Sequence, residues 1–285
     1  MAMMTGPATI TDRERQQVED ANASGRTPVV FIHGLWLLPN SWENWGTYFN
    51  EQGFAPVSPG WPDDPDTVEE ANAHPETFAG KKVGQIADHY AEVIGMLDAK
   101  PAVIGHSFGA LLTEIIAGRG LSAASVAISP APMRGVLPLP VSALRVASVA
   151  LRNPANRSRA VKLTEDQFRY GFGNALSIDE SRALYAKYSV AGPGAPLFQA
   201  ATANFNPGTE AQADTKNPDR GPLLIIAGEH DHTVPWAIAN AAFKKQQQNS
   251  GVTEITKMDR GHSMTIDAGW RDVADKALAF VRRFV

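Results

Sequence analysis

Among its 285 residues the chain has no cysteine, which excludes disulfides, thiolate nucleophiles and cysteine-based zinc or iron–sulfur sites. Nor is there a surplus of cations: 26 Lys and Arg stand against 30 Asp and Glu, a formal net charge of −4. With no basic face to neutralise a polyanion, nucleic acid is not an expected partner. Long apolar runs are missing too. The stretch that comes nearest, residues 136–151, is broken by Pro138 and Pro140 and carries Arg145, so it reads as a wall of a cap and no membrane span is expected. Met1 to Met4 lead into the charged residues Asp12 to Arg15 without the apolar centre of a signal peptide, and the expected compartment is the cytoplasm. Internal repeats and low-complexity tracts are also absent. Chemistry must therefore come from Ser, His, Asp and Glu.

What is present is an ordinary globular composition, 44% hydrophobic and 20% charged, at a length that suits one α/β domain with an insertion. Short apolar runs rich in β-branched residues recur at 28–32, 102–106, 125–129 and 222–227, each the pattern of a strand buried on both faces. Helical patterns separate them at 42–52, 83–97 and 108–117. That alternation predicts a mostly parallel central sheet flanked by helices. Further helices are expected at 236–248 and 270–284, around a strand at 253–258. Residues 11–23 read as a surface helix or loose arm. His89, on the 83–97 helix, is expected at its surface or boundary, and the Pro/Asp-rich loop 59–75, with Asp63, Asp64 and Asp66, as solvated turn chemistry.

From Pro130 to Pro218 the rhythm breaks. Helical patches at 141–151, 164–172 and 178–188 lie between prolines, and Phe168, Tyr170, Phe172, Tyr185, Tyr188, Phe198 and Phe205 make the stretch aromatic. An apolar helical insertion at the active edge of a sheet is expected to form a cap. The predicted division is thus an arm (1–27), a core (28–129 and 219–285) and a cap (130–218).

Chemistry concentrates at strand ends. Gly105-His106-Ser107-Phe108-Gly109 interrupts an apolar run that then resumes as a helix, a strand–turn–helix elbow with Ser107 at its apex. The first free amides of that helix, and the positive end of its dipole, face whatever forms beside the serine oxygen. His33-Gly34 ends the 28–32 strand, and Gly34 lets the amide of Leu35 turn toward Ser107. His33 itself reads as a packing residue beneath that loop. A serine hydroxyl needs a base, and of the seven histidines His262 alone follows the final strand in a Gly-containing loop. The base needs a carboxylate, for which Asp231 is the candidate and Glu229 the rival. His230 and His232 admit a metal reading, but no third ligand has helpful spacing, so no metal or cofactor is expected.

The order His33-Gly34, Gly105-x-Ser107-x-Gly109, insertion, Gly228-x-x-Asp231-x-x-Val234-Pro235, Gly261-His262 resembles the α/β-hydrolase superfamily from Pro28 onward. The resemblance implies an α/β-hydrolase fold with Ser107 as nucleophile, His262 as base and Asp231 as its orienting acid. The amides of Leu35 and Phe108 would form the oxyanion hole. One departure is the polar amino-terminal region, which lacks the antiparallel strands that commonly open the family's sheet and predicts about six strands. A serine at the elbow, where dehalogenases and epoxide hydrolases carry aspartate, implies acyl-ester chemistry. Trp36, Phe168, Phe172 and Trp236 are the expected substrate-binding side chains, and a small, largely apolar ester or lactone the expected partner. Thioesterase, amidase, C–C hydrolase and perhydrolase activities use the same machinery, and a non-catalytic ligand receptor shares the fold.

Overall fold

The structure, a computed structural model, describes residues 9–285. Six strands, β1 (Pro28–Ile32), β2 (Ala55–Val57), β3 (Ala102–His106), β4 (Ala124–Ile128), β7 (Leu223–Gly228) and β8 (Thr253–Met258), form one sheet. The two remaining strands, β5 (Ala160–Val161) and β6 (Gly192–Pro193), pair with each other. The sheet order is β2-β1-β3-β4-β7-β8 and every pair is parallel. The chain therefore runs outward from β1 to β2, then returns across β1 to β3. That reversal opens a crevice at the carboxyl ends of β1 and β3, the place where ligands bind in open parallel sheets. In the β1–β3 register Ile32 pairs with Gly105, which sets His33 and Gly34 beside His106 and Ser107.

Parallel strands need cover on both faces, and β1 shows how the alternation supplies it. Val30 and Ile32 pack with Val18 of α1 (Asp12–Ser24), Ile86, Tyr90 and Val93 of α4 (Val83–Gly95), and Leu111 and Ile115 of α5 (Phe108–Gly118). Val29 and Phe31 face the other way, onto Trp45 and Phe49 of α2 (Glu43–Glu51) and Val273, Leu278 and Val281 of α11 (Trp270–Val281). Helix α10 (Trp236–Gln246) joins the first layer. Fully buried apolar side chains of this kind each contribute about 1.5–3 kcal/mol.

Two expectations need correction and one alternative is decided. Of a surface helix and a loose arm, the structure has the helix: α1 is docked, Thr11 and Glu14 form a capping box, and Glu14 is buried against the His89 ring at 2.8 Å. Residues 1–8 of the expected arm lie outside the described residues. His89 is accordingly buried, because it sits between Ile86 and Tyr90 on the packed side of α4 and finds its polar partner 75 residues earlier. Burial raises the Glu14 carboxyl, but its contacts with His89 and Thr11 win and hold it below the ordinary range. The loop 59–75 is not uniformly solvated either: it contains α3 (Val68–Ala73), capped by Thr67, and it buries Asp64.

Residues 130–218 leave the sheet after β4 and return to it at β7. They contain α6 (Val141–Leu151), α7 (Glu165–Gly171), α8 (Ile178–Tyr188) and α9 (Ala195–Thr202). The first three stand where helical patches are expected. The fourth begins in a Pro-containing first turn, a position that tolerates proline because its N–H would be unpaired anyway.

Candidate active site

Ser107 joins β3 to α5 with φ 60° and ψ −120°, a strained backbone for a residue with a side chain. The glycines on either side make this turn possible. A β-carbon on Gly105 would run into the Gly109 carbonyl and the Thr113 hydroxyl, and one on Gly109 into the Ile32 carbonyl. A β-carbon on Gly34 would stand 2.9 Å from the His106 carbonyl and 3.0 Å from Ser107 Cβ. The ends of β1 and β3 and the start of α5 thus pack backbone against backbone around the serine.

Two loops bring partners to it. His262, in the loop after β8, sets Nε2 3.0 Å from Ser107 Oγ and Nδ1 2.7 Å from Asp231 Oδ2. Asp231, in the loop after β7, accepts the amides of Thr233 (2.8 Å) and Val234 (2.7 Å) on Oδ1, which leaves Oδ2 for the imidazole. All three side chains belong to residues at most 4% exposed. Burial pushes the Asp231 carboxyl up, but the His262 charge and hydrogen bond, with the Val234 amide, hold it below its ordinary value. An ionised Asp231 is an acceptor only, so Nδ1 carries the proton and Nε2 presents its lone pair to the serine hydroxyl. His106 stacks nearby, ring centroids 4.6 Å apart from His262. Burial, then the His262 charge, depress it to about 3, so it adds no second positive charge beside His262 near neutrality.

The amides of Leu35 and Phe108 donate to no protein acceptor among the described residues. The Leu35 loop is braced from below. The His33 ring stacks on Trp61 at 5.2 Å, its Nδ1 donates to the Gly34 carbonyl (3.0 Å), and its Nε2 lies 3.0 Å from Asp64 Oδ2. Asp64 also accepts Lys81 Nζ (2.9 Å) and the Trp61 amide (2.9 Å). Burial opposes its charge, but Lys81 and His33 keep its carboxyl below the ordinary range. His33 thus packs beneath the loop, and the acid that fixes it, expected in a solvated turn, is buried with Lys81. The cluster of aspartates was that acid's one signal.

Trp36, with φ 68°, donates Nε1 to the Val161 carbonyl (2.9 Å) and meets the Phe172 ring edge-on at 6.3 Å. Phe172 stacks on Phe168 at 4.9 Å and sets its ring 4.7 Å from His262. Three of the four expected substrate-binding side chains therefore form one apolar wall. Trp236 makes no ring-to-ring contact with that wall among the described residues: it opens α10, packs against the same apolar cluster, and has Lys257 Nζ 4.6 Å from its ring centroid. Glu229 is exposed, close to His230 and Asp259, whose ligand atoms lie within 4.8 Å of one another and of it. The His230 ring pairs with Asp259 (2.7 Å) and the His232 ring donates to the Tyr170 carbonyl (3.0 Å), so the two histidines serve different partners.

A six-stranded parallel sheet with helices on both faces and a strand–turn–helix elbow at its switch point defines an α/β-hydrolase fold. A model of the alpha/beta hydrolase family matches residues 29–276, and the chain belongs to that family. No curated protein sequence matches it. Among solved structures it is similar to a monoacylglycerol lipase of Paleococcus ferrophilus, at 18% identity over 89% of this chain and 94% of that one, TM-score 0.61. A methylesterase protein from Arabidopsis matches at 12% identity over 90% and 99%, TM-score 0.64. An extracellular alpha/beta-hydrolase from a Paenibacillus species matches at 16% over 89% and 98%, TM-score 0.62. At these identities the likeness is one of fold. Family and fold are those of hydrolases.

Proposed function

We propose that the protein hydrolyses carboxylic esters of small, largely apolar substrates through Ser107, His262 and Asp231. The observation that carries this is the continuous line Ser107 Oγ, His262 Nε2, His262 Nδ1, Asp231 Oδ2, with links of 3.0 and 2.7 Å in a buried setting. In the proposed reaction Ser107 Oγ bonds to the ester carbonyl carbon as its proton passes to His262 Nε2. The carbonyl oxygen becomes an oxyanion, which the Leu35 amide of the loop after β1 and the Phe108 amide at the positive end of α5 would stabilise. Collapse breaks the ester C–O bond, and the His262 proton leaves with the alcohol. Water then repeats the sequence on the acyl-enzyme, giving the acid and free serine. Asp231 keeps Nδ1 protonated and stabilises the imidazolium, without taking its proton.

On this reading residues 130–218 act as a cap. Trp36, Phe168 and Phe172 favour an apolar acyl or alkyl group. The test is covalent: a fluorophosphonate probe labels the wild-type protein at Ser107, and Ser107→Ala loses both the label and turnover of a panel of short-chain, long-chain and cyclic esters. Folded wild-type protein that takes no label overturns the assignment.

A further inference from the structure

The face of the molecule around the start of α6 has a feature that the hydrolase reading does not use. Leu137, Leu139, Val141 and Leu144 are large apolar side chains within eight positions of one another, and they are between 46% and 82% exposed. Phe205 joins them from a distant part of the chain. The Asn204 side chain accepts the Gly135 amide and donates to the Val136 carbonyl (2.9 Å), which fixes the neighbouring Phe205, itself exposed, beside the start of this run. Cations surround the patch. Lys245 reaches Gly135, where an added β-carbon would stand 2.7 Å from its Nζ, and Arg134 donates to the Pro207 carbonyl at 3.0 Å. Val141, Arg145 and Arg152 follow one stripe along α6, and Arg145 and Arg152 take no salt-bridge partner among the described residues. Residues 130–163 hold six Lys and Arg and no Asp or Glu, in a chain whose net charge is −4. Asp166 is the one carboxylate lining the roughly 230 Å³ cleft that Arg145 and Arg152 share.

We propose that this face docks the protein on an anionic lipid surface, with the leucines, Val141 and Phe205 entering the interface and the arginines and Lys245 meeting lipid phosphates. Exposed apolar side chains rimmed by cations are what such a surface selects, since apolar burial and attraction to anionic headgroups act together. Charge complementarity decides the occupant. A second copy of this chain would have to set the same cationic rim against itself in a two-fold contact. No helix among the described residues is long and apolar enough to cross a membrane, and the proposed contact is with the bilayer surface.

Vesicle flotation of the full chain tests this without any assay of turnover. Wild-type protein and Ser107→Ala are expected to float equally with equimolar phosphatidylcholine and phosphatidylglycerol at low salt. Neither floats with phosphatidylcholine alone, and high salt releases both. At about fivefold per cation, Arg145→Gln/Arg152→Gln weakens binding about thirtyfold. Leu137→Ser/Leu139→Ser also loses binding, while keeping its thermal unfolding and its turnover of a soluble ester, because both side chains point into solvent. Absence of wild-type flotation with anionic vesicles overturns the proposal. So does flotation that neither double variant weakens, or a wild-type dimer in sedimentation that Leu137→Ser/Leu139→Ser dissolves. Equal flotation of Ser107→Ala keeps the result independent of the catalytic reading.

Discussion

Replacing Asp231 by asparagine separates the shape of the site from its proton inventory, and the structure says which way the new amide turns. Oδ1 accepts the Thr233 and Val234 amides at 2.8 and 2.7 Å. An asparagine that turned its NH2 toward them would leave those buried donors unpaired, at about 1–3 kcal/mol each. Its oxygen therefore stays on Thr233 and Val234, and its NH2 faces His262 Nδ1. A donor there demands a lone pair on Nδ1, so the ring carries its proton on Nε2 and points it at Ser107 Oγ. The base is then unavailable. A wrong tautomer of this kind costs about 10⁴-fold in kcat, so turnover of a soluble ester should fall by roughly 10²–10⁴-fold while KM changes little. Fluorophosphonate labelling should slow in parallel. The melting temperature should stay within a few degrees of wild type, since every hydrogen bond to the residue survives. Glu229→Gln, at an exposed position, should be nearly silent. An Asp231→Asn variant within about tenfold of wild type would refute the tautomer argument, and a large fall in its melting temperature would make Asp231 a scaffold of its loop.

Four further outcomes follow from the same geometry. Gly109→Ala should fail to fold or melt far below wild type, because the added carbon meets the Ile32 carbonyl. Gly46→Ala, at a half-buried position of α2 whose nearest neighbour would be Pro56 Cβ at 3.8 Å, should be neutral or gain about 0.5–1 kcal/mol in denaturant unfolding. Glu114, buried on α5 and bonded to Gln246 (3.0 Å), is pushed up to about 8 by burial, against the pull of Gln246 and Arg220. The folded state therefore holds this proton where the unfolded chain releases it, and stability falls as pH rises through the folded value. Between about pH 6.5 and 8 the loss should approach 2 kcal/mol, at about 1.4 kcal/mol per unit. His106, depressed to about 3, contributes its own pH dependence below that window, with the opposite sign. Glu114→Gln should flatten the slope in thermal melts, and an unchanged slope would exclude this group as its source. Prolonged chelation should leave ester turnover intact, because the Glu229–His230–Asp259 group is exposed whereas the serine is buried and bonded to His262, and a loss restored by a divalent cation would overturn that view.

Much of the candidate site's geometry was legible because it rests on backbone patterns. Apolar runs followed by Gly-bearing loops mark strand ends, and the chain reversal between β1 and β3 brings two of those ends together. Gly105 and Gly109 gave away the elbow since no other residue fits where a β-carbon would meet a carbonyl. The six-stranded sheet follows from the polar amino-terminal region, and it is the number observed. Trp236 packs against the same apolar cluster as Trp36, Phe168 and Phe172, and Lys257 Nζ stands 4.6 Å from its ring centroid.

Buried charge was what the pattern could not show. Asp64 and Glu14 look like surface acids, one in a Pro/Asp turn and one in the first turn of a polar helix. Each is buried, because a partner distant in sequence repays the cost of leaving water: Lys81 for Asp64 and His89 for Glu14. Such pairs are weak evidence for stability, since desolvation consumes most of the attraction. Their more direct consequence is geometric. Asp64 gathers Lys81, the Trp61 amide and the edge of His33 around one carboxylate, and His33 holds the Gly34 carbonyl immediately before Leu35. An amide proposed to meet an oxyanion is useful to the extent that it need not move when the charge forms. A backbone fixed from below by a buried carboxylate, next to a Trp36 held at φ 68°, meets that requirement better than a loop packed on aliphatic side chains alone. The acidic turn is thus connected, through His33, to the chemistry proposed at Ser107.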